Sequence, residues 1–271
     1  MYFEFDDLRQ SYVIAVNEVR KFIRGKKLLV YVIIVALIFA LWTVLPVLAG
    51  EHFTDVYTSP VTLAYYYLLF MMLLIPLAAT LFASNTIVSE FEERTALVLF
   101  TRPVKKTSIF LGKLAGCLVL ETLLIVIYYL CIAAVSLIYF KTVPTELFIL
   151  LGIACLVITA STGIAILLSS VLKRSSTTSV LTFFLLLMII PMVTVMLSVG
   201  GVQDTWFMFS LTNMGGGDPS VYLTPPVSFS IGDGQLIIEP MVHLARQCGM
   251  LIAWTIVPTV MAWYVFSKRE F

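Results

Sequence analysis

Ser89 to Lys113 reads SEFEERTALVLFTRPVKKTSIFLGK, and its place between two long apolar runs decides the fold. Eight of its residues are ionisable. A chain that threads a membrane keeps so many charges in one connection when that connection meets something soluble. Ser89 and Glu92 fit a capping box, in which the hydroxyl and the carboxylate answer free backbone donors. Glu90, Glu92 and Glu93 then fall in a first turn, where the helix dipole favours negative charge. Arg102-Pro103 closes the helix, because proline disfavours helical geometry in the residue before it. The spacing predicts a rod of about twelve residues, roughly 18 Å long.

Composition fixes the solvent. Apolar residues are 60% of the 271 and charged residues 12%, against about 25% charged in soluble domains. Six runs are long enough for a hydrocarbon core, which takes about twenty helical residues. They are Leu28 to Ala49, Val61 to Ala83, Leu114 to Ile138, Leu147 to Leu172, Ser179 to Val199 and Cys248 to Phe266. In lipid each backbone group must be satisfied within its own segment, so the runs are expected as helices. The first is too long for a signal-peptide core and has no small-residue cleavage site in its flank.

Lys and Arg set the orientation. With both termini cytoplasmic, 15 of the 17 basic residues lie inside and only Lys141 and Arg246 lie outside. Basic residues, far more than acidic ones, govern topology. A net charge of +1 spread over loops gives no reason to expect nucleic acid.

Residues 1–27 form the first cytoplasmic segment. Leu8, Tyr12, Val16, Val19 and Ile23 recur there at helical spacing beside Arg20, Lys21 and Arg24. This predicts an amphipathic helix lying in the membrane interface against anionic lipid, or simply flanking positive charge. Residues 84–113 form the second cytoplasmic segment, and Lys173 to Thr178 is too short for a docking helix. Residues 200–247 carry Gly and Pro punctuation. Val227, Phe229 and Ile231 alternate ahead of Gly232-Asp233-Gly234, which predicts a hairpin within a small external cap. Pro240 suits the first turn of the helix that enters the sixth span.

The Ser89 to Lys113 stretch resembles the cytoplasmic loop of type-2 ABC transporter permeases, with Glu90, Glu92, Glu93, Arg94, Thr95, Leu97, Leu99, Arg102, Pro103, Val104, Gly112 and Lys113 in the matching places. Arg94 stands where many relatives carry glycine. The resemblance implies an all-α polytopic membrane protein, a single permease domain over residues 1–271. It would have six transmembrane helices, an N-terminal interfacial helix, a coupling helix between spans 2 and 3, and an external cap between spans 5 and 6. It also implies a plasma-membrane location and a second permease chain, identical or homologous. Two copies of a cytoplasmic ABC ATPase would hold the ATP and Mg. The expected function is ATP-driven export of a small molecule, peptide or lipid-like substrate. Length and external region resemble permeases of multicopper-enzyme maturation or small-molecule and peptide export. The ATPase-coupling residues are expected at Glu90, Phe91, Glu92, Glu93, Arg94, Thr95, Phe100, Arg102, Pro103, Gly112 and Lys113.

The residues themselves offer little catalytic chemistry. A phosphate-binding loop needs G-x-x-x-x-G-K-[ST]. Gly25-Lys26 has Arg20 and Lys27 at the outer positions, and Gly112-Lys113 has Thr107 and Leu114. Hydrolysis is therefore expected in another polypeptide and no enzyme activity in this one. His52 and His243 are far apart, and Cys117, Cys131, Cys155 and Cys248 lack metal spacing, so no metal site is expected. Glu121, about two turns into the third span, is an intramembrane pathway candidate or a hydrogen-bonded carboxyl between helices. Pro76, Pro191 and Pro258 each remove a helix hydrogen bond and permit a kink. Two other classes compete. A secondary transporter or channel would show two related halves, and Met1–Phe140 shows no repeat in Lys141–Phe271. An intramembrane enzyme would need a nucleophile with its base, or a metal set.

Overall fold

The computed structural model describes residues 5–48, 50, 56–57, 59–92, 105–199, 227–231, 234–238 and 244–268. Helix α1 (Phe5–Arg24) ends at Gly25, whose N–H bonds Phe22 O at 3.0 Å, and α2 (Lys26–Leu48) follows at once. Then come α3 (Pro60–Leu68), α4 (Met71–Leu81), the short α5 (Val88–Glu92) and α6 (Lys106–Phe140). Helix α7 (Glu146–Val171) precedes α8 (Ser175–Phe184), which passes through a π segment, Leu185–Ile189, into α9 (Ile190–Val199). Strands β1 (Val227–Ile231) and β2 (Gly234–Ile238) pair antiparallel, Val227 opposite Ile238 and Ile231 opposite Gly234. The alternation of Val227, Phe229 and Ile231 predicts strands here. Helix α10 (Leu244–Lys268) is the last element, and Pro240 lies outside the described residues.

Five helices are long and apolar enough to cross a membrane, and α3 with α4 makes a sixth crossing if that bent pair is one span. The pair bends by 41°. Its break is at Leu69–Phe70, ahead of Pro76, so the second span is bent, but not at the proline where the sequence allows a kink. Ser59 starts it: its Oγ accepts from Thr62 N at 3.1 Å, with Pro60 in the first turn. The fifth span answers Pro191 differently. Just ahead of the proline the helix widens, and Ile190 N–H reaches back five residues to Leu185 O. That widening gives the ring room where a regular turn would press it against the carbonyl four residues back. Helix α10 passes Pro258 as one element.

Of the five single-helix spans, α7 is the most enclosed and α2 the least. The core lies where α4, α6 and α7 meet, on side chains such as Ile75, Ala79, Phe82, Leu120, Val157 and Ile158. Helix α10 lies close along α7. A Cβ at Gly163 would stand 3.0 Å from Thr259 Oγ1 and 3.2 Å from Thr255 O. Lipid gives no hydrophobic push between helices, so contact at small residues is what holds such a pair.

Several helices begin ahead of the apolar run they contain. The fifth-span helix starts at Ser175 instead of Ser179, and the third-span helix starts at Lys106 instead of Leu114. Both extensions are polar and bonded to other parts of the protein: Lys106 Nζ donates to Ser267 O at 3.2 Å, and Ser175 N to Glu92 Oε2 at 2.8 Å.

Candidate functional site

Helix α1 lies along the first turns of α6. Ser11 Oγ donates to Ser108 O at 3.1 Å, and Lys105 Nζ donates to Asp7 Oδ2 at 2.6 Å. Between them the helices come too close for side chains. A Cβ on Gly112 would meet Ser11 O at 2.7 Å and Ile14 Cβ at 2.8 Å, and one on Gly116 would meet Glu18 Cβ at 2.9 Å. The two glycines, four apart on one helix face, form the seat for α1. The face of α1 turned to the protein carries Asp7, Glu18 and Phe22, all buried. Its apolar stripe faces out, with Leu8 55%, Tyr12 71% and Ile23 57% exposed. An interfacial helix needs that arrangement, because the stripe can then sit in lipid.

Where α1, α5 and α6 meet, Lys113 is 4% exposed and Glu18 5%. Lys113 Nζ donates to Glu18 Oε1, to Glu90 Oε1 at 2.9 Å and to Thr86 O at 3.2 Å. An ammonium has three protons, and all three are used. Lys21 stands 3.8 Å from Glu90 on the more exposed side. A charge this deep persists only when paired and hydrogen-bonded. One side chain therefore ties the N-terminal helix, the end of the second span and the loop helix α5 to the third span.

The loop helix is also held by α7. Ser169 Oγ, on α7, accepts from Ile87 N at 3.1 Å and Val88 N at 3.0 Å. This replaces the expected capping box. Ser89 N bonds Asn85 O at 3.1 Å and so already lies within the turn. Glu92 instead accepts from Ser175 N at 2.8 Å, at the start of α8. Hydrogen bonds from Ser175 hold the Glu92 carboxyl below the usual carboxylate range. The loop between spans 2 and 3 is thereby fastened to the loop between spans 4 and 5.

Of the expected coupling residues, Glu90 and Lys113 come together in the buried ion cluster. Phe91 packs edge-on against Phe266 of the last span, ring centroids 6.4 Å apart, and Phe110 joins them at 5.8 Å from Phe266. Gly112 and Lys113, expected in the loop, stand inside the third-span helix. The close approach of α1 accounts for the first and the paired carboxylates for the second. Glu93, Arg94, Thr95, Phe100, Arg102 and Pro103 lie outside the described residues. Glu121 is fully buried between α6 and α7, where Thr162 Oγ1 donates to its Oε2.

Glu18, Thr86, Ser169 and Gly116 escaped the sequence reading. A usable signal existed for two of them: Gly112 and Gly116 at small-xxx-small spacing, and Asp7, Ser11 and Glu18 on one face of a helix whose other face is apolar.

A family model described as ABC-2 family transporter protein matches residues 12–271. The chain belongs to the ABC-2 transporter family. It is a multi-pass membrane protein and the permease subunit of an ABC transporter, and membership implies an ABC ATPase partner. No curated protein matches it significantly. In this ABC-2 permease the ion cluster sits at the root of the loop expected to meet that partner.

Proposed function

We propose that the chain is half of the translocation unit of an ATP-driven exporter, paired with a second permease chain, identical or homologous. Two ATPase subunits would dock on the cytoplasmic side against the 84–113 segment, holding the ATP and Mg. The membrane is the plasma membrane and both termini are cytoplasmic. The substrate class is a small molecule, peptide or lipid-like compound.

The observation that supports this most is the Lys113 cluster. A push on the loop helix reaches α1 through Glu18 and the third span through Lys113, with little slack, because all three ammonium protons are engaged. Glu93, Arg94, Thr95, Phe100, Arg102 and Pro103 supply the docking contact itself, and Glu90, Phe91, Glu92, Gly112 and Lys113 anchor that contact to the spans.

Affinity purification in mild detergent tests the partner. A protein carrying G-x-x-x-x-G-K-[ST] should travel with the permease, and Glu93→Lys should lower its recovery while the permease stays folded. Absence of any such protein from purified, membrane-extracted permease overturns the reading.

Orientation is tested separately. Cysteine at Ser59 should react with an impermeant thiol reagent from outside intact cells, and cysteine at Ser175 should not, given the 15-to-2 split of basic residues. Labelling at position 175 contradicts cytoplasmic termini.

A further inference from the structure

Next to the ion cluster, with Glu18 and Thr86 in its wall, lies a half-open cavity of about 440 Å³. That is within the roughly 300–1,000 Å³ range of small-molecule sites. Its walls come from α1, the start of α2, the end of the second span and the start of α8. The tight turn at Gly25 is what allows Lys21, late in α1, and Lys27, early in α2, to line one space. Facing them are Ser89, Ser175, Ser176 and Ser179.

The cavity is built, not incidental. With its carboxamide oxygen toward α2, Asn85 accepts from Lys27 Nζ at 2.9 Å and donates to Ser175 O and Ser179 Oγ, each at 3.0 Å. That one side chain fixes Lys27 and the opposite serine wall to the end of the second span. Among the described lining residues Glu18 is the sole carboxylate, and Lys113 also pairs with it. Glu90, near Lys21, is also shared with Lys113. Among the described residues, the two lysines on the wall outnumber the one carboxylate that lines it. Exposed Arg20, Arg24 and Lys26 surround the same elbow.

We propose that this cavity binds a phosphate-bearing polyol headgroup of the glycerophosphate type. Ammonium groups of Lys21 and Lys27 answer the phosphate oxygens, and the serine hydroxyls, each both donor and acceptor, answer phosphate and polyol alike. The same chemistry comes from two sources, an anionic phospholipid of the cytoplasmic leaflet or free glycerol phosphate. The inference does not depend on the transport reading, and its test uses no ATPase.

Full-length permease in mild detergent is mixed with equal amounts of phosphatidylglycerol and phosphatidylethanolamine, and the retained lipid is read by native mass spectrometry. Phosphatidylglycerol should be retained preferentially. Lys27→Gln and Ser176→Glu should each lower that preference about fivefold, the effect expected for one charge near the membrane surface. Ser176 is exposed, so its variant keeps the fold even if loss of Lys27 loosens Asn85. Lys173→Gln, whose site is not on the cavity wall, should leave the preference unchanged. Displacement of the lipid by glycerol phosphate supports a soluble source, and resistance to displacement supports the lipid. Equal retention of the two lipids overturns the proposal, as does a preference untouched by Ser176→Glu and Lys27→Gln.

Discussion

Replacing Lys113 by Met should destabilise the permease by about 3–5 kcal/mol, the cost of leaving a buried charge without its partner. The residue is 4% exposed and Glu18 is 5% exposed, so little water reaches the place of the lost ammonium. Glu90 is more accessible, with 19% of its side chain exposed, and keeps Lys21 nearby. Glu18 is therefore the group that bears the cost. Removing both charges, as Glu18→Leu with Lys113→Met, should cost much less than the sum of the two single changes, because no unpaired charge stays behind. Thermal unfolding of purified protein reads the stability. Transport per ATP hydrolysed, measured in the complex, should fall in both single variants, since the loop helix loses its tie to the spans.

The second large effect is expected at Gly112. Even alanine places a carbon 2.7 Å from the Ser11 carbonyl oxygen, and that neighbour is backbone. Overpacking of this kind costs about 1–3 kcal/mol for a single extra group, and Gly112→Leu should push α1 off the third span altogether. Limited proteolysis then cuts α1 in the variant while the parent resists. Resistance equal to the parent's in Gly112→Leu would show that α1 does not depend on this contact. A substitution at Gly152, where an added Cβ meets nothing within 4 Å, serves as the control for glycine replacement in a span.

The spans could be read from the chain because they are continuous apolar runs, and lipid leaves such runs few alternatives to a helix. The hairpin was legible for a similar local reason, an alternating strand ahead of Gly232-Asp233-Gly234. What could not be read is where long-range polar partners close an element. Glu18 and Lys113 are 95 residues apart, so neither position alone says that a charge can be buried there. Without that pair, Lys113 reads as the end of a loop and Leu114 as the start of the span. The capping box failed for the same reason. Ser89 and Glu92 have the right local spacing, yet Ser169, from a different span, takes the donors at Ile87 and Val88. The break at Leu69–Phe70 carries no local sign at the break itself, and Pro76, the nearest breaker, lies beyond it. Phe91 meets Phe266 of the last span, a contact that its position in the loop does not announce. In each case the missing information is tertiary.

Lys113 and Glu18 act as one buried unit that holds the N-terminal helix to the third span. The most direct test is a double-mutant cycle on Glu18→Leu and Lys113→Met, with unfolding free energies measured in mild detergent. A coupling of about 2 kcal/mol or more between the two sites is the predicted result. Additivity within about 0.5 kcal/mol, the behaviour of sites that do not interact, would contradict it.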